Sequence, residues 1–191
     1  NLFYNPHIKE ILKELIELRK QRKIGWCESQ SGFDGRLLLK DQDLPNLLKK
    51  AGFRYPRIAW DWGIDQWKKI EKQIQLLKEA GYNAKSIYVF MIYNWELDFK
   101  EMEKKRMKCY EWGVQISDCR YRPLTQLHDH YKPLKDQSNG EDYHINPNWT
   151  DMQVKQFRKN VRRQNICARH GFSYHSKILE NRKKFTKEQF R

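Results

Sequence analysis

The chain has 191 residues, and its 38 Lys and Arg against 24 Asp and Glu give a formal net charge of +14. This length suits a single domain that buries roughly two thirds of the surface of its unfolded chain. Low-complexity tracts are absent, and no apolar run approaches the ~20 residues that cross a bilayer. The sequence pattern therefore excludes a membrane-spanning helix, and we expect no membrane partner.

The four cysteines, Cys27, Cys109, Cys119 and Cys167, are widely separated in the sequence. None of their spacings matches a zinc ribbon or a redox dithiol. Reduced, mostly structural thiols are typical of a reducing compartment, and no signal-peptide pattern is present, so we predict a cytoplasmic location. The histidines follow no metal-ligand spacing, so no metal site is predicted.

A pattern of amphipathic helix, glycine and short apolar strand occurs three times. Gly52, Gly81 and Gly113 follow the helices, where a residue without Cβ enters the left-handed conformation easily. In chain order, the pattern predicts helices over 5–19, 41–51, 65–80 and 98–112, and strands over 23–29, 57–62, 86–93 and 114–117. Strands spaced about thirty residues apart with helices between them predict parallel βα units. The functional residues of such units follow the carboxyl ends of the strands.

The two ends of this pattern are distinct. Asn5 is expected to cap the first helix, with Pro6 at its first position. After residue 124 the chain becomes polar and turn-rich, and a last helix over 150–170 leads into a basic tail. Residues 150–191 contain twelve Lys and Arg against three acids, which is +9 of the net charge. We predict an α/β part over 1–124 and a C-terminal extension over 125–191, made of a loop and a basic helix.

Several segments, taken in order, resemble the second half of radical S-adenosylmethionine (SAM) enzymes. They include SQSGFDGRLL, RIAWD, YVFMIYN and RYRPL, and in full they are 1–7, 29–38, 57–61, 88–94, 106–113, 120–124 and 149–170. The resemblance spans almost the whole chain. It implies a six-stranded partial TIM-type barrel, of which residues 1–124 would form the last four strands and the SAM-binding half.

The resemblance also implies cofactors and a partner. Family members hold a [4Fe–4S] cluster on three clustered cysteines, usually C-x-x-x-C-x-x-C, and generate a 5′-deoxyadenosyl radical from SAM. This sequence has no such cysteines. The cluster is therefore expected only if an upstream half is present, and a missing N-terminal half or a partner chain is the expected partner. The substrate is unknown.

The resemblance assigns cofactor contacts to the loop after the first predicted strand. Ser29 and Gln30 match the region that touches the ribose of SAM. Arg36 would pair with the methionine carboxylate, because a guanidinium binds a carboxylate with two parallel hydrogen bonds. Asp34 would orient Arg36 or bond to the ribose. A second interpretation stays open, in which Asp34 makes a turn and forms a salt bridge with Arg36 at a helix start.

Further candidates lie at later strand ends. Asp61 interrupts an apolar strand, as a SAM-binding residue would, or as a capping carboxylate would. Asn94 ends the next strand, where it either binds SAM or stabilises a turn. Arg120 and Arg122 would face the substrate opening of the family fold and contact an anionic group, or they form a surface charge pair.

The basic C-terminal segment supports an alternative function. Arg158, Lys159, Arg162 and Arg163 have the density expected of a phosphate-binding surface, and nearby aromatic residues are able to stack on bases. The alternative is a basic, non-catalytic α/β module that binds nucleic acid. A simple solvated helix face is the third interpretation of the same residues.

Overall fold

A computed structural model describes residues 4–138 and 142–172. Over these residues the fold is α/β, with a parallel sheet whose strands follow the chain order β1-β2-β3. The helices are α1 (Ile8–Lys20), α2 (Arg36–Lys40), α3 (Leu44–Lys50), α4 (Trp67–Glu79), α5 (Phe99–Glu111) and α6 (Asp151–His170), and the strands are β1 (Arg57–Ala59), β2 (Tyr88–Tyr93) and β3 (Gln115–Arg120).

The predicted parallel βα units are confirmed. Ile58 of β1 pairs with Val89 of β2, and Val89 pairs with Ile116 of β3, both in parallel register. The chain passes through α4 between β1 and β2, and through α5 between β2 and β3. Gly52, Gly81 and Gly113 have φ angles of 86°, 89° and 71°, so the three predicted helix stops are also correct.

One face of the sheet carries the core. Side chains level with one another point to the same face, and Ile58, Val89, Met91 and Ile116 share a face and are buried. They belong to one cluster with residues of α4, α5 and α6, such as Phe157. Because Phe157 lies beyond residue 124, the two predicted parts of the chain contribute to the same core.

The opposite face is only partly covered. Ala59, Phe90 and Ile92 point to that side and are half-exposed. The segment before α2 crosses it, and a Cβ at Gly32 would lie only 3.3 Å from the Cβ of Ala59 and 3.4 Å from that of Phe90. Glycine at position 32 therefore permits the loop to lie directly against the sheet.

The predicted strand over 23–29 is wrong. The segment instead makes one isolated parallel bridge, between Cys27 and Phe53, and a second isolated bridge joins Phe33 in the following loop to Ile58. Between them, the side chain of Arg57 donates to the Ser29 carbonyl at 2.5 Å and forms an ion pair with Glu28. The Ser29 carbonyl is therefore bound by the Arg57 side chain, whereas in a continuous strand it would pair with the backbone of a neighbouring strand.

The predicted helix over 41–51 also differs from the structure. It is present in shorter form as α3, and α2, which was not predicted, ends just before Asp41, whose backbone is extended. Its carboxylate accepts a hydrogen bond from the Asp43 amide at 3.2 Å, and Pro45 lies in the first turn of α3. An aspartate turn followed by proline starts a new helix and prevents a continuous one.

Side chains cap two helices, and the predicted cap of α1 is wrong. Asn5 does not cap α1, because its side chain accepts from the His7 amide within a turn and the helix begins at Ile8. Asp98 caps α5 by accepting from the Glu101 amide at 2.8 Å. Thr150 caps α6 in a reciprocal pair with Gln153, so the predicted last helix is correct.

A side chain of α6 protects the outer edge of β3. Asn165 Oδ1 accepts from the Ile116 amide at 2.8 Å, and Asn165 Nδ2 donates to the Ile116 carbonyl at 2.7 Å. The side-chain amide takes the place of a further strand at this point. An edge protected in this way does not pair with another strand there.

Over the same two described ranges, every helix is too short or too polar to span a bilayer. The part of the predicted basic tail that follows residue 172 lies outside the described residues.

Candidate functional site

A cleft of about 250 Å³ lies beyond the carboxyl ends of β1 and β2. We call it the acidic cleft, and its lining is Asp61, Trp62, Gly63, Ile92, Trp95, Glu96 and Leu97. Trp62 is largely exposed, and Trp95 stacks on Tyr121 with ring centres 5.3 Å apart. The position matches the place where parallel βα folds bind ligands. Two carboxylates and two indoles suit a cationic, aromatic ligand.

Asp61 is the one predicted cofactor ligand that lines this cleft among the described residues. Although the residue is exposed overall, neighbouring atoms remove its carboxyl group partly from water, which raises its pKa. The nearby charge of Lys105 opposes this effect, and that of Asp34 adds to it. Asp61 and Asp34 therefore lie close enough to interact electrostatically.

Lys105 of α5 binds the backbone next to the cleft, and this role was not predicted from the sequence. Its side chain is fully buried, and its Nζ donates to the carbonyls of Trp60 at 2.7 Å and of Trp62 at 2.9 Å. Burial lowers the pKa of Lys105 to about 8. Lys105 thereby holds the backbone on both sides of Asp61. Its spacing of three residues from Met102 and four from Cys109, both buried, could have revealed it.

Asp34 and Arg36 pair with each other. Arg36 Nε donates to Asp34 Oδ1 at 2.8 Å and Nη2 donates to Oδ2 at 2.6 Å, while the Tyr4 hydroxyl donates to Oδ2 at 2.5 Å. Arg36 is the main reason why the pKa of Asp34 falls to about 2. The structure thus shows the salt bridge at a helix start, and a contact between Arg36 and a methionine carboxylate stays a prediction.

Ser29 and Gln30 precede this pair and do not line the acidic cleft. The Ser29 carbonyl is held by Arg57, and its hydroxyl donates to the Ser31 carbonyl at 3.2 Å. Gln30 is exposed. Their contact with a ribose stays a prediction.

Asn94 is fully buried and holds three parts of the chain together. It has a φ of 61°, its Nδ2 donates to the carbonyls of His144 and Tyr121, and its Oδ1 accepts from the Asn146 amide at 3.0 Å. Asparagine is one of the few residues that tolerate this left-handed conformation. Of the two interpretations of Asn94, the structure supports the turn, because its amide is used within the protein.

A second cavity, of about 380 Å³, lies beside β3. We call it the arginine pocket, and its lining is Tyr93, Asp118, Cys119, Arg120, Asp129, Tyr131, Arg158 and Arg162. Arg120 forms an ion pair with Asp129 and lies over the ring of Tyr131, 4.6 Å from its centre. Arg122 is more exposed, 3.9 Å from Asp129, and outside the lining.

The four predicted nucleic-acid contacts divide into two pairs. Arg158 and Arg162, one turn apart on α6, line the arginine pocket. Lys159, which is exposed, and Arg163, which is half-buried, do not line it. Positions 158 and 162 share one helix face, and positions 159 and 163 share the next.

A metal centre is not formed by the described part of the chain, where no three His, Cys, Asp or Glu side chains are grouped for one. Comparison of the chain with protein-family models, with curated proteins and with solved structures finds no match. The resemblance to radical SAM enzymes therefore stays a prediction.

Proposed function

We propose that this chain is part of a radical SAM enzyme and binds SAM in the acidic cleft. The observation that carries the proposal is a cleft beyond the carboxyl ends of consecutive parallel strands, lined by two carboxylates and two indoles. SAM has a sulfonium cation, a ribose with two hydroxyls and an adenine. Each of these groups has a complementary side chain in the cleft.

The side chains have separate tasks in this proposal. Trp62 and Trp95 stack on the adenine, and Trp95 is held in place by Tyr121. The carboxylates of Asp61 and Glu96 accept hydrogen bonds from the ribose and favour the sulfonium over a neutral sulfide. Lys105 fixes the backbone around Asp61. Bound SAM supplies a 5′-deoxyadenosyl group, and the chain contributes binding and orientation.

The residues of the chain do not fit a [4Fe–4S] cluster. All four cysteines are free and widely separated in the sequence, and the described residues group no three suitable ligands. In the proposal, the cluster ligands belong to an N-terminal half or a partner chain. Four free thiols also support the inferred cytoplasmic location.

The two edges and the open face of the sheet support a partial TIM-type barrel. Ala59, Phe90 and Ile92 would line the barrel interior, and further strands would cover them. Asn165 blocks the β3 edge, as suits the last strand of a barrel that does not close. The opposite edge, where Phe33 bridges to β1, would face the earlier strands.

Binding of SAM to the 191-residue chain, measured by titration calorimetry, tests the proposal. We expect saturable binding, with S-adenosylhomocysteine weaker because it lacks the sulfonium charge. Asp61→Asn should weaken SAM binding about tenfold through loss of a charged hydrogen bond. Asp43→Asn removes the same charge from an exposed site at the start of α3 and should change nothing. Equal effects of both variants, or no binding of SAM, would contradict the proposal.

A second candidate is nucleic-acid binding by α6. This helix carries Lys155, Arg158, Lys159, Arg162, Arg163 and Arg169 against a single acid, Asp151. Affinity for single-stranded RNA should then fall steeply with salt. It should also fall in Lys159→Gln, which leaves both cavities intact. Salt-independent binding would exclude this candidate.

A further inference from the structure

The arginine pocket brings together hydrogen-bond donors that lack acceptors in the described part of the chain. Its walls come from β3, from α6 and from the segment after β3, which contributes Asp129 and Tyr131. Arg120 Nη1 and the Tyr131 hydroxyl are buried, and within the described ranges neither has a hydrogen-bond partner. Buried donors without partners are rare and unfavourable, so both groups suit a ligand.

Arg158 and Arg162 add two further guanidinium groups to the same cavity. Considering the described residues only, neither forms a hydrogen bond or an ion pair, and Arg158 contacts the Tyr131 ring 5.4 Å from its centre. Both charges act on Asp118, but no ion pair with it is formed among these residues. A gap therefore separates the arginines from the nearest carboxylate that is not already paired.

The charge of the pocket favours an anion. Three guanidinium groups face two carboxylates, and Asp129 is already paired with Arg120. Asp118 is the remaining carboxylate of the lining, and burial raises its pKa. The lining therefore offers an anion several donors and more positive than negative charge.

We propose that the arginine pocket binds a phosphate group. Guanidinium groups match phosphate oxygens with parallel hydrogen bonds, and a phosphate has enough acceptor atoms for Arg120, Arg158, Arg162 and Tyr131 together. At about 380 Å³ the cavity has room for more than phosphate, so the ligand is a small phosphate monoester. This site is separate from SAM binding and does not depend on it.

The test is titration of the 191-residue chain with inorganic phosphate and with adenosine monophosphate in chloride buffer. We expect saturable binding of both, with each excluding the other. Arg158→Gln and Arg162→Gln should each weaken binding about tenfold, because each removes a charged hydrogen bond. Lys159→Gln, which removes a neighbouring charge on the same helix, should leave the affinity within about twofold, since an exposed charge acts weakly at a distance.

Two further variants separate a ligand site from a structural role. Tyr131→Phe removes only a buried hydroxyl that has no partner within residues 4–138 and 142–172, so the fold should be unaffected while phosphate binding weakens several-fold. Asp118→Asn removes a negative charge from the lining and should strengthen phosphate binding. A merely structural role of either residue would leave the affinity of folded protein unchanged.

The remaining outcomes overturn the proposal. These are no phosphate binding at millimolar concentration, equal losses in Arg162→Gln and Lys159→Gln, or no effect of Tyr131→Phe. Binding of single-stranded RNA without binding of phosphate or adenosine monophosphate would also overturn it, because the charge of α6 would then act as an open surface. Failure of SAM binding would leave these measurements unaffected.

Discussion

The acidic cleft and the arginine pocket lie near the same end of the sheet but have opposite chemistry. The cleft has carboxylates and indoles around β1 and β2, while the pocket has guanidinium groups beside β3. The two regions meet at consecutive residues of the chain. Arg120 lines the pocket, and Tyr121 stacks on Trp95 of the cleft. Because neighbouring residues of an extended segment point to opposite sides, the end of β3 contributes a side chain to each region.

The two regions also differ in how their charges are supported. Beneath the cleft, Lys105 has protein acceptors for its hydrogen bonds. In the pocket, Arg120 Nη1 and the Tyr131 hydroxyl lack acceptors among the described residues. The difference supports a role of Lys105 in stabilising the fold and, in our proposal, a role of the pocket donors in ligand binding. Substitution of Lys105 should therefore affect stability, and substitution of the pocket donors should affect binding.

Lys105→Met should have the largest effect on stability. It leaves the carbonyls of Trp60 and Trp62 without the buried ammonium donor, so we expect the free energy of unfolding to fall by about 3 kcal/mol. Urea unfolding measures this change. Lys104→Met, an exposed neighbour on α5, is the control and should stay within about 0.5 kcal/mol of the parent. Similar values for both variants would show that Lys105 does not support the cleft.

Asn94→Ala should lower the free energy of unfolding by about 2 kcal/mol. The variant loses hydrogen bonds to the segments at Tyr121, His144 and Asn146, and alanine is strained at a φ of 61°. Asn148→Ala, at an exposed position in the same segment, is the matched control. A small effect of Asn94→Ala on stability with a large loss of SAM affinity would instead favour the cofactor-binding interpretation.

Asn165→Ala should lower the free energy of unfolding by about 1 kcal/mol and expose the edge of β3. Both hydrogen bonds to Ile116 are lost, although water replaces part of them. We also expect concentration-dependent association, because an unprotected edge pairs with other chains. Light scattering checks this expectation. An unchanged monomer with unchanged stability would contradict the role given to Asn165.

Loss of the Asp34–Arg36 pair should have the smallest effect on the free energy of unfolding, and the effect depends on pH. The folded-state pKa of Asp34 is about 2, below the ~3.9 of an unfolded chain. The contribution of this carboxylate to the free energy of unfolding is therefore complete above pH ~4 and is lost as the pH falls toward 2. Arg36→Gln should raise this pKa toward its ordinary value, as NMR titration of the carboxyl carbon would show. No change would mean that Arg36 is not the cause.

The parts of the fold predicted from sequence depend on local signals. Gly52, Gly81 and Gly113 end helices because of their own conformational freedom, and the helices before them show apolar residues at helical spacing. Both signals involve residues close together in the sequence. They were sufficient to predict the parallel βα units.

The parts that were missed depend on distant contacts. The strand expected over 23–29 is replaced by bonds from Arg57, about one βα unit later in the chain. Lys105 reaches carbonyls more than forty positions earlier. Arg120 and Arg158 were assigned to different functions, although they line one cavity. Sequence spacing does not report which side chains meet across elements.

The central claim is that two neighbouring sites bind ligands of opposite charge. NMR titration of the 191-residue chain with SAM and then with inorganic phosphate tests it most directly. The account predicts that SAM shifts the indole N–H signals of Trp62 and Trp95, and that phosphate shifts the guanidinium signals of Arg158 and Arg162. Shifts of the same set by both ligands, or of neither set, would contradict it.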